Sequence, residues 1–234
     1  MSAQHGKSTS VLVGKYDLSG YLNSVDWSRS CDTAETTVFG LNSKTYIPGL
    51  MDGSLSAAGL FDGAVGAVDE ALAAALGTAN TPVTFCLQGS GTQGNRVKLA
   101  QAIETEHTTS SPVDDVVATN ASFQPSGGVW GGVVVEPLTA KVNAGNSAGS
   151  VDNAASTANG GIANLHVTSH TSGSGTYKVQ HSTDNSVWVD LITFTAAAAA
   201  TSEQKSVAGT INRYLRGAWT GTFSQTALIA FARQ

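Results

Sequence analysis

Apolar and polar side chains alternate along most of this chain, and only one segment repeats at helical spacing, so the pattern predicts strands nearly throughout. Ser10–Lys15 is a short apolar run stopped by Gly14, following a polar, flexible start. In Leu22–Cys31, Val25, Trp27, Arg29 and Cys31 face one way, and Ser24, Asp26, Ser28 and Ser30 the other. Asp32–Ser43 has no sustained period and reads as a long loop, of a length that is usually functional or disordered in a compact domain. Tyr46-Ile47-Pro48-Gly49 reads as a turn, with φ fixed at Pro48 and freedom at Gly49. Gly53–Asp62 alternates again, with Leu55, Ala57, Gly59 and Phe61 on one face. A helix follows, capped by Asp62 and stopped by Gly77, with Val65, Val68, Leu72 and Leu76 at the spacing needed to brace a sheet.

Beyond the helix, Val83–Gln88 and Arg96–Glu106 flank the turn-rich Gly89–Asn95 and predict a hairpin. Val113–Phe123 and Val129–Leu138 give two more strands. Lys141–Gly161 is poor in large apolar residues and rich in Asn, Ser, Gly and Ala, the composition of a linker. After it come six short segments: Ile162–Thr168, Thr176–His181, Val187–Phe194, Gln204–Ala208, Tyr214–Trp219 and Thr226–Arg233. Their spacing suggests a sandwich or jelly roll. Ala196–Ala200 is too short to hold a helix and reads as a loop. The expected fold is mainly β: residues 1–143 form a sandwich or barrel with one flanking helix, 144–160 a linker, and 161–234 an all-β sandwich of jelly-roll or immunoglobulin-like type.

Composition sharpens this picture. Charged residues are 12% of 234, about half the usual share of roughly 25%. A surface so poor in charge suits a protein largely covered by copies of itself, because free monomers rely on charge for solubility. The net charge of −5 and the lack of any Lys/Arg cluster argue against nucleic-acid binding. The acidity lies in the first part: residues 1–143 hold thirteen acidic and seven basic side chains, and residues 144–234 four and five. No signal peptide or membrane span is expected, which points to synthesis in a cytoplasm. Cys31 and Cys86 are expected to be buried free thiols in strands.

No arrangement of residues predicts catalysis, a cofactor or a metal. His166 and His170 are four apart on a segment that alternates as a strand, where that spacing joins no single metal-binding face. His181–Asp184 reads as a polar turn. Gly89–Gly94 resembles a phosphate loop but opens no helix. The pairs Asp69-Glu70 and Asp114-Asp115 lack the contrasting environments that acid–base work needs. Trp188 and Trp219 could form a sugar-stacking face, although buried aromatics are the commoner use.

Several segments resemble the tail tube (major tail) proteins of long-tailed, siphovirus-type bacteriophages. These are Lys44–Leu50 with Asp52-Gly53, Gly59–Asp62 with the alanine-rich helix, Asp17–Asn23, Val25–Trp27, and the terminal Val179–Asn185, Trp188, Asp190-Leu191 and Arg213–Arg216. The resemblance implies a virion structural protein, made in the host bacterium, whose hexameric rings stack into the tail tube that conducts DNA at ejection. It also implies partners: other copies of the chain, a tape measure protein in the lumen, and tail terminator and distal tail proteins at the ends. DNA would pass without specific binding, and no membrane would be involved. The loop reaching the neighbouring ring would be Asp32–Pro48, with Asp32, Glu35, Asn42, Lys44, Tyr46, Pro48 and Gly49 as its candidate contact residues. The alternative is a virion surface module that binds carbohydrate or host through its C-terminal part, anchored by its N-terminal half.

Overall fold

The computed structural model describes residues 5–234; residues 1–4, the first part of the polar start, lie outside the described residues. The strands in chain order are β1 (Ser10–Val13), β2 (Tyr16–Asp17), β3 (Leu22–Glu35), β4 (Tyr46–Leu60), β5 (Thr81–Cys86), β6 (Arg96–Ser110), β7 (Ala118–Pro125), β8 (Trp130–Val142), β9 (Gly145–Asn146), β10 (Val151–Asp152), β11 (Gly161–Ser182), β12 (Val189–Thr193), β13 (Thr201–Val207) and β14 (Tyr214–Arg233). One α-helix, α1 (Val68–Ala75), lies between β4 and β5. All fourteen strands join one hydrogen-bonded network whose main path runs β12-β11-β14-β8-β6-β5-β1-β2, with β7, β4 and β3 branching from β6. Among the described residues the fold is mainly β with a single α-helix.

Three apolar layers hold the network together. Val68, Ala71, Leu72 and Ala75 of α1 pack with Leu55, Ala57, Val83, Phe85, Ala100, Ala102 and Phe123. On the opposite face of β5 and β6, Cys86, Val97 and Leu99 meet Leu12, Val134, Ile162, Leu228 and Ala230. The third layer fills the space around β11 and β14 with Leu165, Tyr177, Val179, Phe194, Ile211, Leu215, Phe223 and Ile229. Strand β6 is thus covered on both faces, and small residues at Ala100 and Ala102 make room for the helix.

Polar groups also cross between the layers. The His166 ring sits between the Gly14 carbonyl at 2.7 Å and the Thr84 hydroxyl at 2.8 Å. Asn164 donates to the Val83 carbonyl at 3.1 Å and accepts from Gln204 at 2.8 Å. Every member of this set has a partner, so burial costs little and the register of β11 over β5 is fixed.

Several expectations change. The second-half segments fuse: Ile162–Thr168 and Thr176–His181 are parts of β11, and Tyr214–Trp219 and Thr226–Arg233 are parts of β14, paired from Gly161↔Arg233 to Ser182↔Tyr214. Residues 144–160 are laid against β14 through β9 and β10, and Thr157 bridges to Ile211 just ahead of it, so their composition does not leave them free. Val113–Val117 is loop, and β7 starts at Ala118. The helix is shorter than expected because Gly66 takes φ +79°, and it begins after Ala67. Asp62 accepts from Ala64 in a turn, while the Glu70 carboxylate takes the Gly66 amide at 2.8 Å. Gly77 does close the helix, at φ +70°. Val65 precedes α1 and is fully exposed, and Leu76 at the C-cap is about half exposed, so the bracing face is Val68, Ala71, Leu72 and Ala75. The expected hairpin forms between β5 and β6, and the alternation of Leu55, Ala57 and Gly59 is reproduced in burial.

Candidate assembly interface

The most exposed structured part of the molecule is the β3–β4 hairpin. Strand β4 pairs with β7 only from Leu55 to Leu60. From Ser54 back to Tyr46 its sole partner is β3, which pairs with nothing else among the described residues. At about 3.4 Å per residue this two-stranded arm is roughly 27 Å long, and its base still touches the sheet, where Gln124 donates to Asp52 and to the Gly53 carbonyl. Beyond Gly53 its outer edges have no strand partner among the described residues, and such edges readily template another strand.

Every candidate contact residue lies on or beside this arm. Asp32 and Glu35 are on β3; Tyr46, Pro48 and Gly49 are on β4; Asn42 and Lys44 lie in the connection. The loop is shorter than expected, residues 36–45, since β3 continues through Glu35. Tyr46–Gly49 is extended strand rather than a turn. Its irregularity is a register shift between Cys31 and Thr33, which leaves Gly49 and Leu50 of β4 as a bulge opposite the single Asp32 of β3. A Cβ on Gly49 would lie 3.2 Å from Asp32 Cβ and from its carbonyl, so glycine suits the bulge. Pro48 fits because this stretch is an edge. Cys31 is exposed on the arm, not buried; Cys86 is buried, and burial pushes its thiol up to about 12.

The tip is built, not slack. Thr36 donates to the Thr45 carbonyl at 2.8 Å, Thr45 to the Thr37 hydroxyl at 3.1 Å, and Leu41 to the Val38 carbonyl at 3.4 Å, with Gly40 at φ +92°. Lys44 pairs with Glu35 at 3.0 Å and holds that carboxyl below its usual range. This frame presents Val38, Phe39 and Leu41 to solvent, with Phe39 107% exposed. Tyr46, Ile47, Leu50 and Met51 continue the apolar surface down β4. An apolar projection of this kind marks an interaction site. In the sequence the only signal of this tip is Val38-Phe39-Gly40-Leu41, an apolar run inside a polar loop, which periodicity does not pick out.

At the base of the arm an open cleft of about 840 Å³ lies against β6 and β8, lined by Trp27, Arg29, Met51, Lys98, Trp130 and Arg233 among others. Lys98 Nζ sits 3.6 Å from the Trp27 ring centre, and the Arg29 guanidinium 5.1 Å from that of Trp130.

The groups considered for chemistry are otherwise engaged. Burial pulls His166 down to about 4, against the Gly14 carbonyl and Asp17, and keeps its ring neutral as a structural hydrogen-bonding group. His170 contacts the Gly173 carbonyl at 3.0 Å, and His181 accepts from the Asn212 amide at 3.2 Å. Gly89–Asn95 is tied down by Asn95, which donates to the Gln88 and Gly89 carbonyls. Trp219 is buried in the third layer, and Trp188 is overlain by the Arg216 guanidinium at 4.4 Å, so the two rings offer no joint sugar platform. Among the described residues no three His, Cys, Asp or Glu side chains gather as metal ligands, and no helix is long and apolar enough to cross a membrane. One buried group escaped the sequence reading. Glu104 on β6 is 0% exposed, neither carboxylate oxygen has a hydrogen-bond partner, and burial pushes it up to about 8.

The sequence matches no family model and no curated protein. Among solved structures, the fold is similar to a chain from the virion of a native gene transfer agent particle. The TM-score is 0.44 and the identity 17%, over 54% of this chain and 97% of that one. A second similarity, to a chain from the tail of an empty gene transfer agent particle with six-fold symmetry, has a TM-score of 0.42 and 16% identity, over 54% and 97%.

Proposed function

We propose that this chain is a structural subunit of a phage-like tail tube, stacking in hexameric rings around a lumen that carries DNA at ejection. The single observation that supports this best is the β3–β4 arm: a rigid, edge-exposed hairpin tipped by Phe39, of the kind that gains stability only when another surface covers it. It coincides with Asp32–Pro48, the segment that the resemblance to tail tube proteins assigns to inter-ring contact. A hairpin reaching from one subunit into the next makes a heterologous contact, which propagates into rings or filaments unless it closes. The arm's open edges would be satisfied by strands of the neighbour, which removes an aggregation hazard and supplies directional bonding together.

In this reading residues 161–234 decorate the outside of the tube, and the acidic first part discourages DNA from adhering to the lumen by repelling phosphates. The partners implied by the resemblance, a tape measure protein inside and terminator and distal proteins at the ends, belong to the same proposal. Negative-stain microscopy of the purified chain is the test. Rings or tubes are expected; a protein that stays monomeric at high concentration in every buffer refutes it.

A further inference from the structure

We propose that the cleft at the base of the arm receives the β6–β7 loop of a second copy of this chain, with Asp114 and Asp115 entering among Arg29, Lys98 and Arg233. The inference deepens the assembly reading above and rests on it.

The cleft is charged without being neutralised. Among the described residues none of these three cations has a carboxylate within 4.0 Å; Lys7, Lys15, Arg96 and Arg216 lack one too, but Arg29, Lys98 and Arg233 share one cleft. Arg233 Nε is buried and has no hydrogen-bond partner. Lys98 and Arg29 are held over the Trp27 and Trp130 rings, which position the charges without cancelling them. Burial, together with Arg29 and Arg96, holds the Lys98 ammonium below its usual range, as a crowded positive site does. In a chain with net charge −5 and few charges of either sign, such a group calls for an anionic occupant with apolar flanks.

The loop after β6 has those properties. Val113 is 106% exposed, and Val116 is exposed on the other side of Asp114-Asp115. Neither aspartate has a cationic partner within 4.0 Å among the described residues; Asp115 only accepts from the amide of Val116 at 2.7 Å. Two valines flanking two carboxylates match tryptophans flanking cations.

Position excludes self-docking. Lys98 and Ser110 lie on the same strand, and twelve residues of β6 separate cleft from loop by roughly 40 Å. The arm extends past β7 on the cleft side, since Leu55 pairs with Phe123 and Leu60 with Ala118, next to the loop. Arm and cleft therefore share one end of the molecule and the acidic loop marks the other, the arrangement of a head-to-tail contact.

A charge swap tests the pairing. Arg29→Glu/Lys98→Glu and Asp114→Lys/Asp115→Lys are prepared as two double variants, with circular dichroism confirming that each folds. Each alone is expected to need at least tenfold more protein to assemble than the wild type. Mixed in equal amounts they should recover, because the reversed loop of one fits the reversed cleft of the other while the unaltered pair still matches. Assembly of either variant at the wild-type concentration, or a mixture of folded variants that stays dispersed, overturns the pairing. If the wild type itself never assembles, the tube reading fails, and a synthetic peptide spanning 110–118 decides the pairing through Trp27 and Trp130 fluorescence. A saturable shift, absent when both aspartates are replaced by asparagine, sustains it. No shift up to millimolar peptide, or a short DNA duplex displacing the peptide from the same cleft, overturns it.

Discussion

Replacing Glu104 by Gln should stabilise the protein near neutral pH, and the size of the gain follows from where the carboxyl lies. Glu104 shares the α1-facing side of β6 with Ala100 and Ala102, and its two oxygens find no donor. Burial raises its carboxyl from 4.5 to about 8. In the unfolded chain the group ionises near 4.5, while in the native state it keeps its proton until about 8. Below 4.5 both states are protonated and the group is neutral in its effect. Between 4.5 and 8 the native state binds the extra proton, so stability falls as pH rises, by about 1.4 kcal/mol per unit. The penalty is about 3 kcal/mol at neutral pH and levels off at about 5 kcal/mol above 8.

Glutamine keeps the shape and gives up the charge, so the variant should be more stable by about 3 kcal/mol near pH 7, a rise in Tm of roughly 6–12 °C for a chain of this size. Thermal or urea unfolding of both proteins from about pH 5 to about pH 8 reads this directly. The difference between them should widen with pH, and other titrating groups cancel in that difference. Curves that stay parallel across the range would mean that Glu104 ionises normally in the native state, and the account of a dry layer beneath α1 would be wrong.

His166 acts in the opposite direction: its folded value of about 4 lies below 6.5, so its contribution is present above 6.5 and is lost as pH falls toward 4. A Glu104→Gln protein, freed of the opposing slope, should therefore lose about 1.4 kcal/mol per pH unit through that window in the same unfolding series. Phe39→Ser should leave the unfolding midpoint unchanged but weaken assembly by about 2 kcal/mol per contact, roughly thirtyfold in critical concentration by sedimentation. Lys141 and Glu136 form a buried pair at 2.8 Å. Lys141→Met should cost about 3–5 kcal/mol in chemical denaturation, most of it recovered when Glu136 is made Leu as well. Raising NaCl toward 1 M, where the Debye length falls to about 3 Å, should raise the wild-type critical concentration, and should not do so in the folded Arg29→Glu/Lys98→Glu protein.

Strand content, the β5–β6 hairpin and the alternation through Leu55–Gly59 were legible because each depends on local chemistry: period, turn residues and one buried face. What stayed hidden depends on partners distant in sequence. Gly173, φ +76°, and Gly221, φ +117°, sit in the expected breaks between segments, yet neither ends a strand. A Cβ on Gly173 would approach the Thr222 carbonyl to 2.0 Å, and one on Gly221 the Ser174 carbonyl to 2.3 Å. Their missing side chains let β11 and β14 cross closely and continue. A glycine that allows a bend within a pair and one that reverses the chain look alike until the pairing is known. Glu104 is hidden in the same way, since it shares a face of β6 with Lys98, and only α1 packing there buries it.

The arm shows the converse error. Its period-two pattern stops at Cys31, because Asp32–Ser43 lacks one buried face. A strand needs only its hydrogen-bonded partner, and β3 continues to Glu35 with both faces in solvent. Alternation records burial within one copy of the chain; where burial depends on a second copy, the pattern fades although the strand persists. In the proposed assembly, a pattern that fades along a segment which keeps its strand partner, and which leads to Phe39, is what a surface completed by another molecule would show.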